Sequence, residues 1–250
     1  MGSNLGSMYE DGTGVPQDHT EAVRLFRLAA NQGYAMAQSN LGKMYKDGTG
    51  VPQDHAKAAR LWQLAADQGF APAQYNFGVI HEKGTGVPQD QAGAARLYQL
   101  AADQGYAPAQ CNLGSMYRTG TGVPQDQAEA LWLHQLAADQ GNAQGQQNLA
   151  AMHLGGTGVR QDQTKAARLL KLAADQGFQL ARDTLDRLTA MHPAGTRVRI
   201  TGHVEPLARL NGMVGTAVQP TKPLGTGRIA VRIDGQNKSV SLSWANVQHA

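Results

Sequence analysis

The heptapeptide Gly48-Thr49-Gly50-Val51-Pro52-Gln53-Asp54 occurs five times in the chain, the last copy with Arg160 in place of the proline. The copies begin, 36 residues apart, at Gly12, Gly48, Gly84, Gly120 and Gly156. A second phrase, Asn/Asp-Gln-Gly, keeps the same period and begins at Asn31, Asp67, Asp103, Asp139 and Asp175. Self-similarity at a fixed period of this length is typical of stacked repeat arrays, in which each unit packs against its neighbours.

Each unit is predicted to contain two helices separated by the heptapeptide. In the second unit, apolar residues recur at helical spacing over residues 35–47, which predicts the first helix, called helix A. Gly48 suits the left-handed position after a helix, and Pro52 cannot continue one. Asp54 then stands where an N-cap is expected, at the start of the second helix, called helix B. Glu21 and Glu129, three residues after this Asp in their own copies, predict capping boxes.

Glycines recur inside helix A, at Gly6, Gly42, Gly78 and Gly114, with Ala150 in the same place in the fifth unit. Because glycine inside a helix costs about 1 kcal/mol relative to alanine, its recurrence predicts close approach of helix B. Asp186 takes this place in the next helix, so the array is expected to end with that helix, over residues 179–190. One register of helix B is predicted to be core, and it holds Phe26, Trp62, Tyr98, His134 and Leu170.

The spelling Leu-Gly-x-Met-Tyr-x-x-Gly-x-Gly-Val-x-x-Asp, followed by Ala-Ala-x-Gln-Gly, closely resembles the Sel-one-like repeat family, a relative of the tetratricopeptide repeat. The resemblance covers residues 1–190 and implies a right-handed superhelix of antiparallel helix pairs. It also implies a non-catalytic scaffold or adaptor that holds other proteins. Asn4-Leu5-Gly6 aligns with Asn40-Leu41-Gly42, so the first unit is expected to be truncated. Secreted members pair two cysteines in each repeat, whereas this chain has only Cys111.

In such relatives helix A lines the concave surface, which directs attention to its recurring polar residues. An asparagine precedes the core residue in four full units, at Asn40, Asn76, Asn112 and Asn148. A carboxamide can donate to and accept from the backbone of an extended peptide, although each asparagine could instead bond a neighbouring loop. Positions that vary between copies are predicted to read a partner's side chains: Ser39, Tyr75, Cys111 and Gln147; Lys43; and Lys46 and Arg118. Tyr75 is the predicted anchor.

Residues 195–250 are predicted to form a second, all-β domain after a linker at 191–194. Alternating apolar residues predict short strands, and Asn211-Gly212 and Asp234-Gly235 predict tight turns. The pattern resembles a small Src-homology-three-like barrel, which implies a binding accessory without a transferable ligand.

Charge divides the chain at the same point. Residues 1–190 contain fifteen basic and seventeen acidic residues, whereas residues 191–250 contain seven and two. The basic tail permits a nucleic-acid interpretation through Arg197, Arg199, Arg228, Arg232 and Lys238. Protein or peptide binding, or capping of the solenoid, are the other interpretations of the tail.

No residue pattern predicts catalysis. The eight histidines show no metal-ligand spacing, and the Gly-Thr-Gly loops lack the lysine of a phosphate-binding loop. We therefore expect no cofactor, no metal, no membrane span and a cytoplasmic location. The leading hypothesis is a non-catalytic scaffold that binds a protein or peptide on the concave helix A surface. A nucleic-acid-associated protein that uses the basic barrel is the alternative.

Overall fold

The computed structural model describes residues 2–190, 197–200, 214–217, 228–233, 239–243 and 247–249. Eleven helices form a helical solenoid within the described residues: α1 Gly2–Asp11, α2 His19–Asn31, α3 Ala35–Asp47, α4 His55–Asp67, α5 Ala71–Lys83, α6 Gln91–Asp103, α7 Ala107–Thr119, α8 Gln127–Asp139, α9 Ala143–Gly155, α10 Gln163–Asp175 and α11 Gln179–Ala190. Odd-numbered helices α1 to α9 are the predicted helices A, and even-numbered helices are the predicted helices B. The linker predicted at 191–194 and the residue Lys238 lie outside the described residues.

The heptapeptide loop is held to both helices that it joins. Gly48 ends α3 in the left-handed region, with φ of 69°. The amide of Asp54 donates to the carbonyl of Tyr45 (2.9 Å), and the Gln53 side chain donates to the carbonyl of Lys46 (2.8 Å). The Asp54 carboxylate accepts from the amide of Lys57, as an N-cap does. The glutamine of the loop therefore satisfies a helix A carbonyl, a role that the sequence pattern did not predict.

The capping-box prediction is wrong at Glu21. The amide of Asp18, which the Glu21 carboxylate would accept from, donates to the carbonyl of Tyr9 at 2.9 Å. Glu21 instead accepts from the guanidinium of Arg24 at 2.6 and 2.8 Å. At the fourth copy the amide of Asp126 donates to its own helix A in the same manner, so Glu129 is also deprived of its capping-box partner. The backbone bond between the two helices of the hairpin takes the place of the capping-box bond in both repeats.

Close packing is confirmed at three of the helix A glycines, Gly6, Gly42 and Gly78. A Cβ added to Gly42 would lie 2.9 Å from Nε1 of Trp62, and one added to Gly78 would lie 2.7 Å from Cε1 of Tyr98. Gly6 meets Phe26 in the same way. The helix B register predicted to be core is buried throughout, with Phe26, Trp62, Tyr98, His134 and Leu170 each at most 2% exposed.

A glutamine relay joins each repeat to the one before it. The Gln38 side chain donates to the carbonyl of Ala30 in the preceding helix B (3.3 Å). Its oxygen accepts from the Gln68 side chain at the end of α4 (2.7 Å), and Gln68 also donates to the carbonyl of Leu64. The relay recurs from Gln104 to Gln74 to a backbone carbonyl. These bonds add a second donor to carbonyls at helix B ends, since Ala30 also accepts from the amide of Gly33 at 3.0 Å.

Two compact units divide the chain, Met1–Leu133 and His134–Ala250. In the first unit the apolar clusters consist mainly of alanine, with one large side chain, Phe26, Trp62 or Tyr98, from each helix B. In the second unit one cluster contains Ala150 and Leu170 together with Leu188 of α11 and Val231. Val231 is fully buried, so a strand of the tail belongs to the same apolar core as the last helices.

Five strands form one antiparallel sheet in the second unit, in the order β4-β3-β2-β1-β5. Their bounds are β1 Arg197–Ile200, β2 Val214–Ala217, β3 Arg228–Ile233, β4 Ser239–Ser243 and β5 Val247–His249. The predicted Src-homology-three-like barrel requires the two edge strands to close the sheet. The described pairings leave β4 and β5 at the edges, so the barrel stays a prediction.

We expect Gly78→Ala to lower the free energy of unfolding by about 1–2 kcal/mol. The added Cβ would meet the Tyr98 ring at 2.7 Å, and this overpacking outweighs the gain in helix propensity. Ala150 and Leu170 show that a pair with alanine in helix A and leucine in helix B is compatible with the repeat. A double-mutant cycle with Tyr98→Leu, measured by urea unfolding, should therefore show Gly78→Ala to be near neutral once the ring is replaced by leucine. Equal costs with and without the Tyr98→Leu substitution would contradict a steric origin.

Candidate functional site

The helix A face of the compact unit Met1–Leu133, hereafter the first compact unit, is the candidate site. The consecutive helices A α3 and α5 contact each other, so their outward residues form adjoining rows. Asn40, Asn76 and Asn112 occupy the same position of α3, α5 and α7, and each is half-buried. Asn148 takes the same position in α9, in the second unit, and is also half-buried.

The four asparagines differ in their hydrogen bonds. Within the described part of the chain, the side chains of Asn40 and Asn76 make no hydrogen bond. The Asn112 amide interacts with the hydroxyls of Tyr75 and Tyr98. The Asn148 side chain accepts from Gln144 at 3.2 Å. Bonding to a neighbour therefore accounts for Asn112 and Asn148, whereas two carboxamides on α3 and α5 are left available.

The row predicted to read a partner is not an accessible row. Ser39 is 5% exposed, Cys111 2% and Gln147 9%, and Tyr75 is half-buried. This position is turned toward helix B, where the indole Nε1 of Trp62 donates to the carbonyl of Ser39 at 3.1 Å. The prediction that these side chains face a partner is wrong for the three buried ones.

Tyr75 belongs to a cluster of tyrosines in the third repeat. Its ring lies 5.7 Å from that of Tyr98 and 5.5 Å from that of Tyr106. The hydroxyl of Tyr98 donates to the Glu82 carboxylate at 2.6 Å. Burial raises the pKa of all three tyrosines, and the bond to Glu82 raises that of Tyr98 further. An anchor with these internal contacts is part of the core as well as of the surface.

The predicted charged residues lie on the accessible edge of the face. Lys43 is exposed and donates to Glu10 of α1 at 3.0 Å, and this bond raises the pKa of Lys43. Lys46 is exposed and pairs with Asp47 at 3.0 Å. Arg118 is exposed as well. Exposed pairs of this kind contribute little to stability, so these residues remain free to exchange partners.

Comparison with known proteins decides the family. The Sel1 repeat matches five consecutive segments, residues 3–34, 35–70, 71–106, 107–142 and 143–178. The chain belongs to the Sel1 repeat family. Among curated proteins none matches the chain.

Solved structures of other Sel1 repeat proteins share the fold. A protective antigen of uropathogenic Escherichia coli strains is 37% identical with a TM-score of 0.67, over 75% of this chain and 40% of the antigen. A Sel1 repeat protein from Oxalobacter formigenes is 30% identical with a TM-score of 0.70, over 74% of this chain and 73% of the other. The chain thus spans less than half of the antigen. The Pseudomonas aeruginosa immunity protein Pa5087, 22% identical over 71% and 68% of the two chains with a TM-score of 0.51, shows similarity of fold alone.

The arginines predicted to contact nucleic acid lie beyond the Sel1 repeats. Arg197 pairs with Thr216, and Thr216 pairs with Arg232 on its other side. Because cross-strand partners lie on one face of a sheet and residues two apart share a face, Arg199 and Arg228 occupy that face as well. The register thus places four arginine positions on one face, and Val231 on the other.

Other functional signals are few in the described part of the chain. No group of histidine, cysteine, aspartate or glutamate there has the geometry of a metal site. None of the helices described has the length and hydropathy of a membrane span. The sequence pattern did not predict the Tyr98–Glu82 bond, because the sequence offers only a weak signal for it. Tyr98 is tyrosine where other Sel1 repeats of this chain hold phenylalanine, tryptophan, histidine or leucine.

The tyrosine cluster should make the first unit sensitive to alkali. The pKa of Tyr98 is raised in the folded state above its value of about 10 in the unfolded chain. The contribution of the neutral Tyr98 phenol to the free energy of unfolding is therefore complete below about pH 10 and is lost as the pH rises further. Urea unfolding between about pH 8 and pH 11 should show a smaller loss of stability for Tyr98→Phe than for the wild type. Tyr34→Phe, at a tyrosine that is 57% exposed, is the control. Equal alkaline losses in both variants would contradict a role of the buried phenol.

Proposed function

We propose that the chain is a non-catalytic scaffold whose helix A face in the first compact unit, Met1–Leu133, binds an extended segment of a protein partner. The observation that carries this proposal is the pair of carboxamides of Asn40 and Asn76. Both are half-buried at the same position of successive helices A, and neither has a hydrogen-bond partner within the described residues. A carboxamide that makes no bond inside the protein supplies one acceptor and two donors to a partner.

The spacing of the two asparagines suits a peptide backbone. Neighbouring packed helices lie about 8–10 Å apart, and an extended chain rises about 3.3 Å per residue. Asn40 and Asn76 would therefore meet peptide groups roughly three residues apart. Because a peptide group is the same for every residue type, such contacts hold the backbone and leave selectivity to the side chains around them.

Selectivity is proposed to come from the edge of the face. Glu10 and Lys43 form one exposed ion pair beside Asn40, and Lys46 pairs with Asp47. Arg118 is exposed farther along the unit. These charges are of both signs, so the face favours a partner segment of mixed charge over a strongly acidic or basic one. Membership of a repeat family whose proteins generally act in protein interactions supports the same conclusion.

The proposal is tested by peptides selected for binding from a random display library against the full chain. We expect the double variant Asn40→Ala/Asn76→Ala to weaken their binding about tenfold or more, because each lost charge-neutral hydrogen bond contributes about 0.5–1.5 kcal/mol. Affinity is measured by calorimetry, and the midpoint of urea unfolding checks that the variant is folded. Asn148→Ala, in the second unit, is the matched control and should leave affinity unchanged.

Either of two results would reject the site. One is that the selected peptides bind the double variant as tightly as the wild type. The other is that the backbone amide shift changes they cause map away from α3, α5 and α7. Tyr75→Ala is a poor substitute for this test, because Tyr75 packs on the rings of Tyr98 and Tyr106 and its loss would disturb the fold.

The alternative function, nucleic-acid association through the tail, is favoured by one observation. The sheet register gathers the positions Arg197, Arg199, Arg228 and Arg232 on one face. Cationic positions gathered on one face of a sheet suit attraction to the phosphates of a duplex.

The alternative makes its own prediction for the full chain. If the arginine face binds DNA, affinity for a duplex should fall steeply between about 50 and 200 mM salt, with a slope that decreases by roughly one for each arginine removed. Arg197→Gln/Arg199→Gln should halve the slope, whereas Lys46→Gln in the first unit should not alter it. Absence of duplex binding at about 50 mM salt by fluorescence anisotropy would remove this alternative.

A further inference from the structure

A cleft of about 380 Å³ lies between the second and third repeats, away from the helix A face. It is lined by α4, α5 and the loop after α5, through Ala56, Ala59, Arg60, Gln63, Phe77, His81 and the Gly86-Val87-Pro88 segment. His81 is five residues after Asn76 on α5, which places the two about 140° apart around the helix. The cleft is therefore separate from the proposed peptide site. Its volume is within the range of small-ligand sites.

Comparison with the preceding repeat explains why the cleft exists. One repeat earlier the equivalent positions of Ala56, Ala59, Gln63 and His81 hold the larger residues Thr20, Val23, Arg27 and Tyr45. There the Tyr45 hydroxyl accepts from Arg27 at 3.2 Å, and Nζ of Lys57 lies 5.4 Å above its ring. The position of Lys57 is Gly93 in the next repeat. The cleft thus lacks the tyrosine and both cations that occupy the equivalent place between the first and second repeats.

One side of the cleft is aromatic. The rings of Phe77 and His81 meet edge to face with centroids 4.6 Å apart. Phe77 replaces the leucine found at this position in the other repeats, and it is half-buried, whereas Leu41 and Leu113 are at most 4% exposed. Ala56, Ala59, Val87 and Pro88 add small apolar surfaces. Such a wall suits a compact apolar or aromatic group.

The cleft carries one cation without a carboxylate partner. At the same register, Arg24 is bound to Glu21 at 2.6 Å and Arg96 lies 3.9 Å from Asp90. The position of Glu21 is Lys57 in the second repeat, and Lys57 itself takes the carboxylate of Asp54 at 3.0 Å. Arg60 is therefore exposed and has no ion pair within the described residues.

We propose that this cleft binds a carboxylate joined to a compact apolar or aromatic group. The Arg60 guanidinium would bind the carboxylate, a geometry for which arginine is well suited. The Gln63 side chain can donate a further hydrogen bond, and the apolar group would lie against Phe77 and Val87. A free arylalkyl carboxylate and the C-terminus of a peptide that ends in a hydrophobic residue share this chemistry.

The test uses N-acetyl-L-phenylalanine as the probe and its carboxamide, N-acetyl-L-phenylalaninamide, as the control. Titrations of the full chain are followed by backbone amide chemical shifts. We expect saturable binding of the acid with a roughly millimolar Kd, as its small size dictates, and at least about tenfold weaker binding of the amide. The shift changes should be centred on residues 56–63 and 77–88. Phenylpropionate distinguishes the two sources: it should bind equally if only the carboxylate and ring are recognised, and more weakly if the peptide group contributes.

Two variants test the assignment of residues. Arg60→Gln should weaken binding of the acid about tenfold and remove the preference over the amide. Arg96→Gln, at the same register of the next repeat and outside the cleft, should not alter it. His81→Tyr restores the residue that repeats two and four hold, so it should fold normally and reduce binding by filling the cleft. Equal affinities for acid and amide, unchanged binding by Arg60→Gln, or no saturable shift changes would each overturn the proposal.

Discussion

The contact between a helix A glycine and a large helix B side chain sets the distance between the two helices of a repeat. At Gly6, Gly42 and Gly78 a Cβ would lie within 3.0 Å of the opposing ring, so the ring can sit directly on the helix A backbone. The ring then fills space that alanines leave on both helices. Where helix A has Ala150, helix B has Leu170 in place of a ring. The rest of the repeat is built around this spacing.

Hydrogen bonds from glutamine side chains add to the apolar packing that holds the helices and repeats together. One glutamine in each loop, such as Gln53, donates to the end of helix A, and the relay of Gln38 and Gln68 reaches the end of the preceding helix B. These side chains thus add hydrogen-bond donors to the carbonyls at helix ends, both within a repeat and between repeats. Because these bonds use the loops and helix ends, the outer part of helix A is left to other roles.

The third repeat departs from the others at several positions, and the departures act together. Tyr75 and Tyr98 bring a hydrogen-bonded tyrosine cluster to its helix A side, with Glu82 as acceptor. On the other side of α5, Phe77 and His81 replace leucine and tyrosine and open the cleft beside Arg60. A regular array can vary in this way because each repeat contacts only its neighbours, so a local change does not propagate. The residues specific to one repeat therefore lie on helices whose pairing is the same from repeat to repeat.

The 36-residue period, the helix boundaries, the left-handed glycines and the buried helix B register follow from the sequence alone, because each depends on local chemistry or on spacing within one unit. Which polar residues are accessible could not be read from the period. Ser39 and Asn40 are adjacent on α3, yet in the folded chain Ser39 is buried, with its carbonyl accepting from the Trp62 indole, and Asn40 is only half-buried. Likewise the local sequence predicted a capping box at Glu21, but in the folded chain the amide of Asp18 donates to the carbonyl of Tyr9 and is not available to Glu21. Long-range contacts decide which of several local options is used, since a donor or a surface that is already bound in the folded chain is no longer available to the local one.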